Sequence, residues 1–312
     1  LDTRIYDPKT GALGLPEFGT KITRGVLVQT KPKNFRDLVI ISGLTHGTDV
    51  WAGNASDLVE QGIPLDEVIG CRDDIMTYLI AKGLESITAF TIMESVRKGK
   101  GLKPEWIEEM LKHDVPQWYV DSCLKIKYMF PKAHAVAYVL MAVRIAWFKV
   151  HYPHWFYIQF LTLRCDAYEI ETMSKGIDAI NNRMHDIQER LANRDVRNPV
   201  SQKEKSLLDT LEVCQEIYAR GYRIGNIDLH HSKATEFCIV GDNTKEIIPP
   251  FVILDGLGEN VARSIEKARD EQEFISKEDL LSRTQLSATL LNKLDSLGCL
   301  NDLQEKNQLS LF

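Results

Sequence analysis

Several familiar sequence features are absent from this chain, and each absence excludes a class of protein. Its six cysteines are scattered and form no C-x-x-C pair, so neither a zinc ribbon nor a secreted disulfide framework is indicated. The sequence does not start with a signal peptide. Its longest apolar stretch, residues 135–150, is interrupted by Arg144 and Lys149 and is short for a membrane span. We therefore predict a cytoplasmic protein that makes no membrane contact.

A surplus of basic residues is also missing, because 38 lysines and arginines face 44 aspartates and glutamates. The formal net charge of −6 argues against a uniformly basic surface for nucleic acid, although it leaves room for a local one. The 312 residues, 44% of them hydrophobic, suffice for one large core or two smaller ones. Residue 1 is Leu instead of Met, which favours a piece of a longer protein.

The chain lacks an Asp-x-Asp pair within an apolar run, an arrangement in which metal-binding carboxylates commonly share a strand. Asp73 and Asp74 are adjacent, but they stand at a predicted helix start, where the helix dipole alone favours acidic side chains. Neighbouring residues of a helix also point in different directions, so this pair makes a poor joint metal site. We therefore predict that the chain has no metal site and no catalytic residue of its own.

Helical patterns dominate the sequence after a turn-rich opening of about thirty residues. The strongest predicted helix spans residues 132–151, and its dense Ala, Val, Leu and Ile content predicts burial on most sides. Residues 235–248 have a strand–turn–strand pattern that predicts a short β-hairpin. The predicted fold class is therefore mainly α, with a helical first region followed by a small α+β region.

A Gly-x-Gly turn at Gly256 and Gly258 follows an apolar segment, and a helix with Ala262 in its first turn is predicted after it. This is the helix-hairpin-helix pattern, in which glycines allow a tight turn and the next helix offers free N–H groups to a phosphate. Such a unit holds the DNA backbone without reading its sequence. We predict DNA contacts at Gly256, Leu257, Gly258 and Asn260, although an ordinary turn between helices would have a similar sequence.

The last five residues, Gln308-Leu309-Ser310-Leu311-Phe312, follow a polar stretch at 301–306 that predicts a solvated linker. Exposed Leu and Phe side chains at a chain end favour a partner pocket. The Q-L-x-L-F pattern is typical of peptides that bind bacterial sliding clamps. It predicts clamp contacts by Gln308, Leu309, Leu311 and Phe312; the alternative is an apolar terminus that packs onto its own domain.

A third segment, residues 125–138, combines cationic, histidine and aromatic side chains around the start of the long helix. Lys132 stands where the helix dipole already favours an anion, and His134 and Tyr138 share one helix face. This combination suits a nucleotide, with phosphates on the cation and a base or sugar against the rings. Composition alone favours a core histidine and a lysine whose stem lies along the protein surface.

Three longer stretches resemble the PolC-type bacterial DNA polymerase III alpha subunit. They are residues 42–51 (SGLTHGTDVW), 68–76 (VIGCRDDIM) and 127–134 (KYMFPKAH). Residues 227–229 and 234–237 and the terminal pentapeptide also fit that family, so the resemblance spans nearly the whole chain in order.

The resemblance implies a fingers region, the nucleotide-binding side of a polymerase, over residues 1–165. It implies a duplex-binding region with helix-hairpin-helix elements over 166–300, and a linker with a clamp-binding tail over 301–312. At matching positions it implies a nucleotide-pocket role for Thr45, His46, Phe130, Lys132, His134 and Tyr138. Many relatives have Ser where this chain has Thr45, which keeps the hydroxyl and adds a methyl group. Further candidates for phosphate contact, chosen on charge more than on motif, are Arg72, Arg97, Lys98 and Lys100; a solvated basic loop explains them equally well.

By this resemblance the chain is expected to be the C-terminal part of a replicative DNA-directed DNA polymerase, a nucleotidyltransferase. Its expected partners are template–primer duplex, deoxynucleoside triphosphate, the beta sliding clamp and other replisome subunits. The catalytic carboxylates, with Mg²⁺, are expected in a palm region outside this chain, which then needs no cofactor and is inactive alone. The alternative is a non-catalytic adaptor that binds DNA and the clamp. Palm aspartates encoded upstream of Leu1 favour the polymerase, whereas a Met directly before Leu1 favours the adaptor.

Overall fold

The computed structural model describes residues 8–193, 197–241 and 245–307. Helices dominate these residues, whose strands form one short pair, and the predicted mainly α fold class is confirmed. The described chain divides into two compact units, Pro8–Trp147 and the residues from Phe148 onward. The predicted boundary near residue 165 lies later in the chain than this division.

The first unit is built from helices joined by short turns. They are α1 Lys21–Thr30, α2 Phe35–His46, α3 Ser56–Glu60, α4 Arg72–Ala81, α5 Ser86–Arg97, α6 Pro104–Lys112 and α7 Gln117–Lys125. Residues 21–30, which the sequence pattern assigned to turns, form α1 because Thr20 caps its start: the Thr20 hydroxyl accepts from the Thr23 N–H at 3.2 Å. Pro104 occupies the first position of α6, as predicted.

The core of the first unit lies mainly between α4 and α5. Ile75 and Leu79 of α4, and Ile92 and Val96 of α5, are completely buried in one apolar cluster. Burial of each such side chain contributes about 1.5–3 kcal/mol to folding. This packing fixes the start of α4 and the end of α5 relative to each other, and both ends carry predicted site residues.

The longest described helix, α8, spans Lys132–His151, and its predicted bounds are confirmed. The prediction that it is buried on most sides is wrong. Ala135, Val139 and Ala142 recur every three to four residues and pack into the first unit, so one narrow face is covered. The exposed side chains include Val136, Leu140, Met141 and Val143.

Among the described residues, α8 is also the one helix long and apolar enough to cross a membrane, with 22% of its most apolar window buried. Length and composition of a single helix are weak evidence for a membrane span.

The second unit begins within α8 and continues with α9 Pro153–Arg164, α10 Ile170–Met173, α11 Ile177–Ala192, α12 Gln202–Ala219, α13 Glu259–Glu271, α14 Lys277–Arg283 and α15 Ala288–Ser296. Pro153 ends α8 as predicted and opens α9, where a missing N–H costs nothing. Ser201 and Glu204 cap the start of α12 reciprocally, each side chain accepting from the backbone N–H of the other.

The predicted β-hairpin at 235–248 is reduced to a single antiparallel bridge between Cys238 and Ile248. The short ladder instead joins β1 Arg223–Ile224 to β2 Glu246–Ile247, and it is parallel. The reason lies in the backbone of the first predicted strand. Within this strand the Phe237 N–H donates to the Thr162 hydroxyl, and just before it the Ala234 N–H donates to the Glu266 carboxylate.

Candidate functional site

The end of α2 is joined to the segment before α8 by a two-residue bridge. The Thr48 N–H donates to the Tyr128 carbonyl at 2.9 Å, and the Lys127 N–H donates to the Thr48 carbonyl at 3.0 Å. A side chain at Gly47 would approach the Tyr128 carbonyl oxygen to 2.7 Å, so the close approach requires glycine. Two of the three stretches that carry the family resemblance are thereby held together.

The same segment is joined to the helices that carry the predicted phosphate-binding cations. The Met129 N–H donates to the Arg97 carbonyl at 3.3 Å, and the Arg72 N–H donates to the Phe130 carbonyl at 3.1 Å. Gly99, with a φ of +69°, lies so close that a Cβ atom there would meet the Lys127 carbonyl oxygen at 2.6 Å. Residues that are far apart in sequence therefore form one surface of the first unit.

Four of the predicted nucleotide-pocket residues form a continuous row of rings, which we call the aromatic row: His46, Phe130, His134 and Tyr138. The Phe130 and His134 rings are stacked, with centroids 5.0 Å apart and an interplanar angle of 13°. His46 meets the edge of Phe130 at 6.3 Å, and Tyr138 lies 4.5 Å from His134. Tyr128 adds an edge contact to Phe130 at 5.3 Å. Such a row offers π-faces and ring edges to a flat ligand.

The first residues of this site are fixed by hydrogen bonds inside their own helix. The Thr45 hydroxyl donates to the Ile41 carbonyl at 2.9 Å, so this hydroxyl is already engaged. His46 Nδ1 lies 2.7 Å from the Ser42 carbonyl and therefore carries a proton. Its Nε2 lies 3.2 Å from the Glu17 carboxylate, which orients the ring; Glu17 was not foreseen from sequence.

Three of the predicted phosphate-contacting cations converge on one carboxylate, and we call this group the cation cluster: Arg72, Arg97, Lys98 and Glu94. Glu94 accepts two hydrogen bonds from Arg97, one of them at 2.8 Å, and one from Lys98 at 2.8 Å. Arg72 Nη1 lies 3.9 Å from the same carboxylate. Arg97, then Lys98, lowers the pKa of Glu94 to about 2. Lys100 stands exposed in the following loop, outside the cluster.

Lys132 has carboxylate neighbours at the start of α4. Its ammonium group pairs with Asp74, and its backbone N–H donates to Asp73 at 2.6 Å. Asp74 also accepts the N–H groups of Gly70 and Cys71, at 3.2 Å and 2.7 Å, and so caps α4. These carboxylates therefore do not fit a Mg²⁺ site, because their oxygens already serve backbone and lysine donors.

Within the described ranges, no group of three or more His, Cys, Asp or Glu side chains is arranged to hold a metal ion. Burial raises the pKa of the Cys71 thiol, beside Asp74, to about 12. Cys71 is thus a packing residue of the site, since a thiol must lose its proton to react.

The predicted helix-hairpin-helix turn lies in the second unit. Gly256 has a φ of +91°, a conformation that favours glycine, and Leu257 is buried as the apolar anchor of the turn. Gly258 is the N-cap of α13 and provides no side-chain cap, so it leaves the N–H groups of the first turn without a side-chain acceptor from the cap residue. Asn260 is exposed in that turn.

Two lysines flank this turn, and the sequence pattern alone did not indicate them. Lys203 pairs with the Asp255 carboxylate at 2.9 Å, and Lys293 donates to the Asp255 carbonyl at 2.9 Å. Lys203 lowers the pKa of Asp255. Two cations, one from α12 and one from α15, therefore lie next to the turn at Asp255.

The predicted second hairpin is formed by α14 and α15, which pack against each other after α13. Ser287 caps α15 by accepting from the Leu290 N–H at 3.3 Å. The linker predicted at 301–306 is tied by its backbone to α14: the Lys277 N–H donates to the Gln304 carbonyl at 2.8 Å. The predicted clamp-binding residues Gln308, Leu309, Leu311 and Phe312 lie outside the described residues.

Comparison with known families identifies two regions of the chain. Residues 6–114 match the bacterial DNA polymerase III alpha subunit finger domain. Residues 221–309 match the helix-hairpin-helix motif. The first match includes the end of α2 and the cation cluster, and the second includes the turn at Gly256–Gly258.

Similar proteins extend the likeness over almost the whole chain. The proteins named DNA polymerase III PolC-type from Oceanobacillus iheyensis, Halalkalibacterium halodurans and Bacillus subtilis are 58%, 57% and 56% identical to it, each over 305 residues. These alignments cover 97% of this chain and 21% of each relative, so the chain spans about one fifth of the relatives' length. The chain belongs to the PolC-type bacterial DNA polymerase III alpha subunit family.

Proposed function

We propose that this chain positions the incoming nucleotide and holds the product duplex for a replicative DNA-directed DNA polymerase. The observation that carries the proposal is the meeting, on one surface, of the aromatic row and the cation cluster. Residues from four separate stretches contribute to it, and backbone hydrogen bonds join those stretches. The similarity of residues 6–114 to a finger domain supports the same function.

In this proposal the triphosphate is bound by the cations and the base or sugar lies against the rings. Guanidinium groups match the geometry of phosphate oxygens in pairs, and a lysine adds a point charge. Arg72, Arg97, Lys98 and Lys132 therefore bind the phosphates, with Lys100 as a more distant contributor. Phe130, His134 and Tyr138 provide the stacking surface, and His46 closes its other end.

The second unit is proposed to bind the sugar–phosphate backbone of template–primer duplex. The N–H groups at the start of α13 donate to a phosphate between Gly256 and Asn260, and Lys203 and Lys293 add positive charge beside it. The similarity of residues 221–309 to the helix-hairpin-helix motif supports this function. Contacts of this kind are independent of base sequence.

The terminal Gln308–Phe312 is proposed to dock on the beta sliding clamp, on the strength of its Q-L-x-L-F pattern. Tethering to a clamp raises the local concentration of polymerase at the primer end. Deletion of these five residues is expected to abolish clamp binding and to leave duplex binding intact. Loss of both together would mean that the tail stabilises the folded second unit.

The phosphoryl transfer itself is proposed to occur on palm residues outside this chain, in a cytoplasmic replisome. Mg²⁺ held there would supply activation of the primer 3′-hydroxyl and charge stabilisation of the leaving pyrophosphate, while the residues of this chain bind and orient the nucleotide. The 312-residue chain alone is expected not to incorporate nucleotide at any Mg²⁺ concentration. Metal-dependent incorporation of nucleotide by the purified chain would contradict the proposal that phosphoryl transfer occurs outside it.

The nucleotide-binding proposal is tested in the full-length polymerase that contains this chain. Lys132→Ala should raise the KM for deoxynucleoside triphosphate about tenfold or more, as expected for loss of a charged hydrogen bond. Lys112→Ala is the matched control, because Lys112 pairs with Glu108 at 3.5 Å on the exposed side of α6. An unchanged KM for Lys132→Ala would remove Lys132 from the site.

A further inference from the structure

Glu94 is the carboxylate of the cation cluster, and cations from two different helix ends approach it. Arg97 and Lys98 reach it from the end of its own helix, and Arg72 approaches it from the start of α4. Asp74, which pairs with Lys132, differs because it also caps α4 through two backbone N–H groups. The hydrogen bonds of Glu94 all come from cationic side chains.

The helix end itself disfavours a negative charge at this position. Glu94 lies in the last turn of α5, Ser86–Arg97, where free carbonyl groups give the helix a partial negative charge. Cations are favourable there, whereas a carboxylate is stabilised by its cationic partners alone. A glutamate followed by Arg97 and Lys98 at spacings of three and four could be a simple helix-surface ion pair. The approach of Arg72 from α4 separates this cluster from such a pair.

The guanidinium group of Arg72 has hydrogen-bond donors that are not used in this arrangement. Its Nε is buried and makes no hydrogen bond to any described residue, and its Nη1 is 3.9 Å from Glu94, beyond hydrogen-bonding distance. Asp73 lies 4.0 Å from Nε, also beyond that distance. The side chain as a whole is partly exposed, so its Nη groups can donate hydrogen bonds to a further anion.

We propose that Glu94 is a positioning residue that occupies the place of a nucleotide phosphate in the cation cluster. It holds Arg72, Arg97 and Lys98 together, and it yields them when the triphosphate of the incoming nucleotide binds. The proposal rests on the proposed nucleotide-binding function of the first unit. The exchange replaces one carboxylate with phosphate groups of higher charge and involves no covalent step.

The exchange has a consequence for affinity. A phosphate must compete with Glu94 for the same donors, so the glutamate weakens phosphate binding and keeps the site from holding pyrophosphate after the reaction. Removal of the negative charge should therefore strengthen the binding of both substrate and product phosphates. A structural role for Glu94 predicts the reverse, because a residue that only orders the arginines would weaken phosphate binding when it is lost.

The experiment compares Glu94→Gln with the unaltered full-length polymerase. Glu94→Gln should lower both the KM for deoxynucleoside triphosphate and the inhibition constant of inorganic pyrophosphate, by about three- to fivefold, the effect of one partly exposed ion pair. The salt dependence of pyrophosphate inhibition should become steeper, because the cluster gains one net positive charge. Unchanged or higher constants would overturn the proposal.

Two further variants keep the test decisive. Glu108→Gln removes a carboxylate from an exposed ion pair on α6 and should leave both constants unchanged. Glu94→Asp keeps the charge but withdraws it by one methylene, so it should lower both constants, though by less than Glu94→Gln does. It provides the test if the glutamine variant folds poorly. If Arg72→Gln and Lys132→Ala leave the KM unchanged, the proposed function itself fails. If those two raise the KM while Glu94→Gln does not lower it, the failure is confined to the role of Glu94.

Discussion

At the scale of single residues, the chemistry of the candidate site depends on side chains that are held by neighbours. His46 is fixed between the Ser42 carbonyl and Glu17, and Phe130 is fixed between His46 and His134. Side chains that are held in this way lose little conformational entropy when a ligand binds. The aromatic row is therefore preorganised for a flat ligand.

Phe130 is the residue whose loss should affect the row most. Phe130→Ala removes the ring between His46 and His134 and should raise the KM for deoxynucleoside triphosphate by about tenfold, since one base–aromatic stack contributes on the order of 1–3 kcal/mol. The measurement is steady-state kinetics on the full-length polymerase. Phe90→Ala is the control, because Phe90 is an exposed ring on α5. Equal effects of the two substitutions would contradict a stacking role.

Sequence alone identified many of these residues but few of their relationships. The spacing of His134 and Tyr138 indicated a shared helix face, and their rings do lie 4.5 Å apart. Glu94 precedes Arg97 and Lys98 by three and four residues, a helical ion-pair signal that would have identified it. Nothing in the sequence pattern brings Arg72 to the same carboxylate, because that contact depends on the packing of α4 against α5.

At the scale of secondary structure, glycine sets how closely the site segments approach. Gly99→Ala should destabilise the turn after α5 by more than about 1 kcal/mol, because its φ is +69° and its Cβ would meet the Lys127 carbonyl. The KM for nucleotide should rise, since the segment that carries Phe130 must shift. Gly101→Ala is the matched control, with a φ of +71° but no atom within 3.4 Å of its Cβ. A higher KM for both variants would assign the effect to backbone strain alone.

The start of α12 should be sensitive to acid. Hydrogen bonds from Arg190, and then from the Ser201 N–H, lower the pKa of Glu204 from 4.5 to about 2. Above pH 4.5 this carboxylate is ionised in both the folded and unfolded chain, and its stabilising contribution is complete. Between pH 4.5 and about 2 the unfolded chain takes up the proton first, so the contribution falls.

Hydrogen exchange of the α11 and α12 amides measures this effect in the folded protein. Protection, corrected for intrinsic exchange, should decrease as the pH falls below 4.5, and Glu204→Gln should reduce the decrease. Glu212→Gln, on the same helix, is the control. A decrease of equal size in Glu204→Gln would mean that other carboxylates cause the acid sensitivity.

Helix bounds were the most predictable elements, because their signals are local. Pro104 at the start of α6 and Pro153 after α8 act within one turn of the chain. Burial of α8 and the strand pairing at 246–247 were mispredicted, because both depend on partners distant in sequence. The N–H groups of Ala234 and Phe237 bond to side chains of α13 and α9, which no local pattern shows.

At the scale of the whole molecule, the two units are proposed to divide nucleotide binding and duplex binding between them. The aromatic row and the cation cluster belong to the first unit, and the turn at Gly256–Gly258 belongs to the second. The overall net charge of −6 gave little indication of either site, because the cations that matter are few and local.

Two constants of the full-length polymerase, measured for two variants, test most directly whether the two units divide nucleotide binding and duplex binding between them. The constants are the KM for deoxynucleoside triphosphate and the Kd for template–primer duplex. Lys132→Ala should raise the KM and leave the duplex Kd unchanged. Asn260→Asp should raise the duplex Kd, most strongly at low salt, because it places a carboxylate where a phosphate binds, and should leave the KM unchanged. Parallel changes of both constants in either variant would contradict the division.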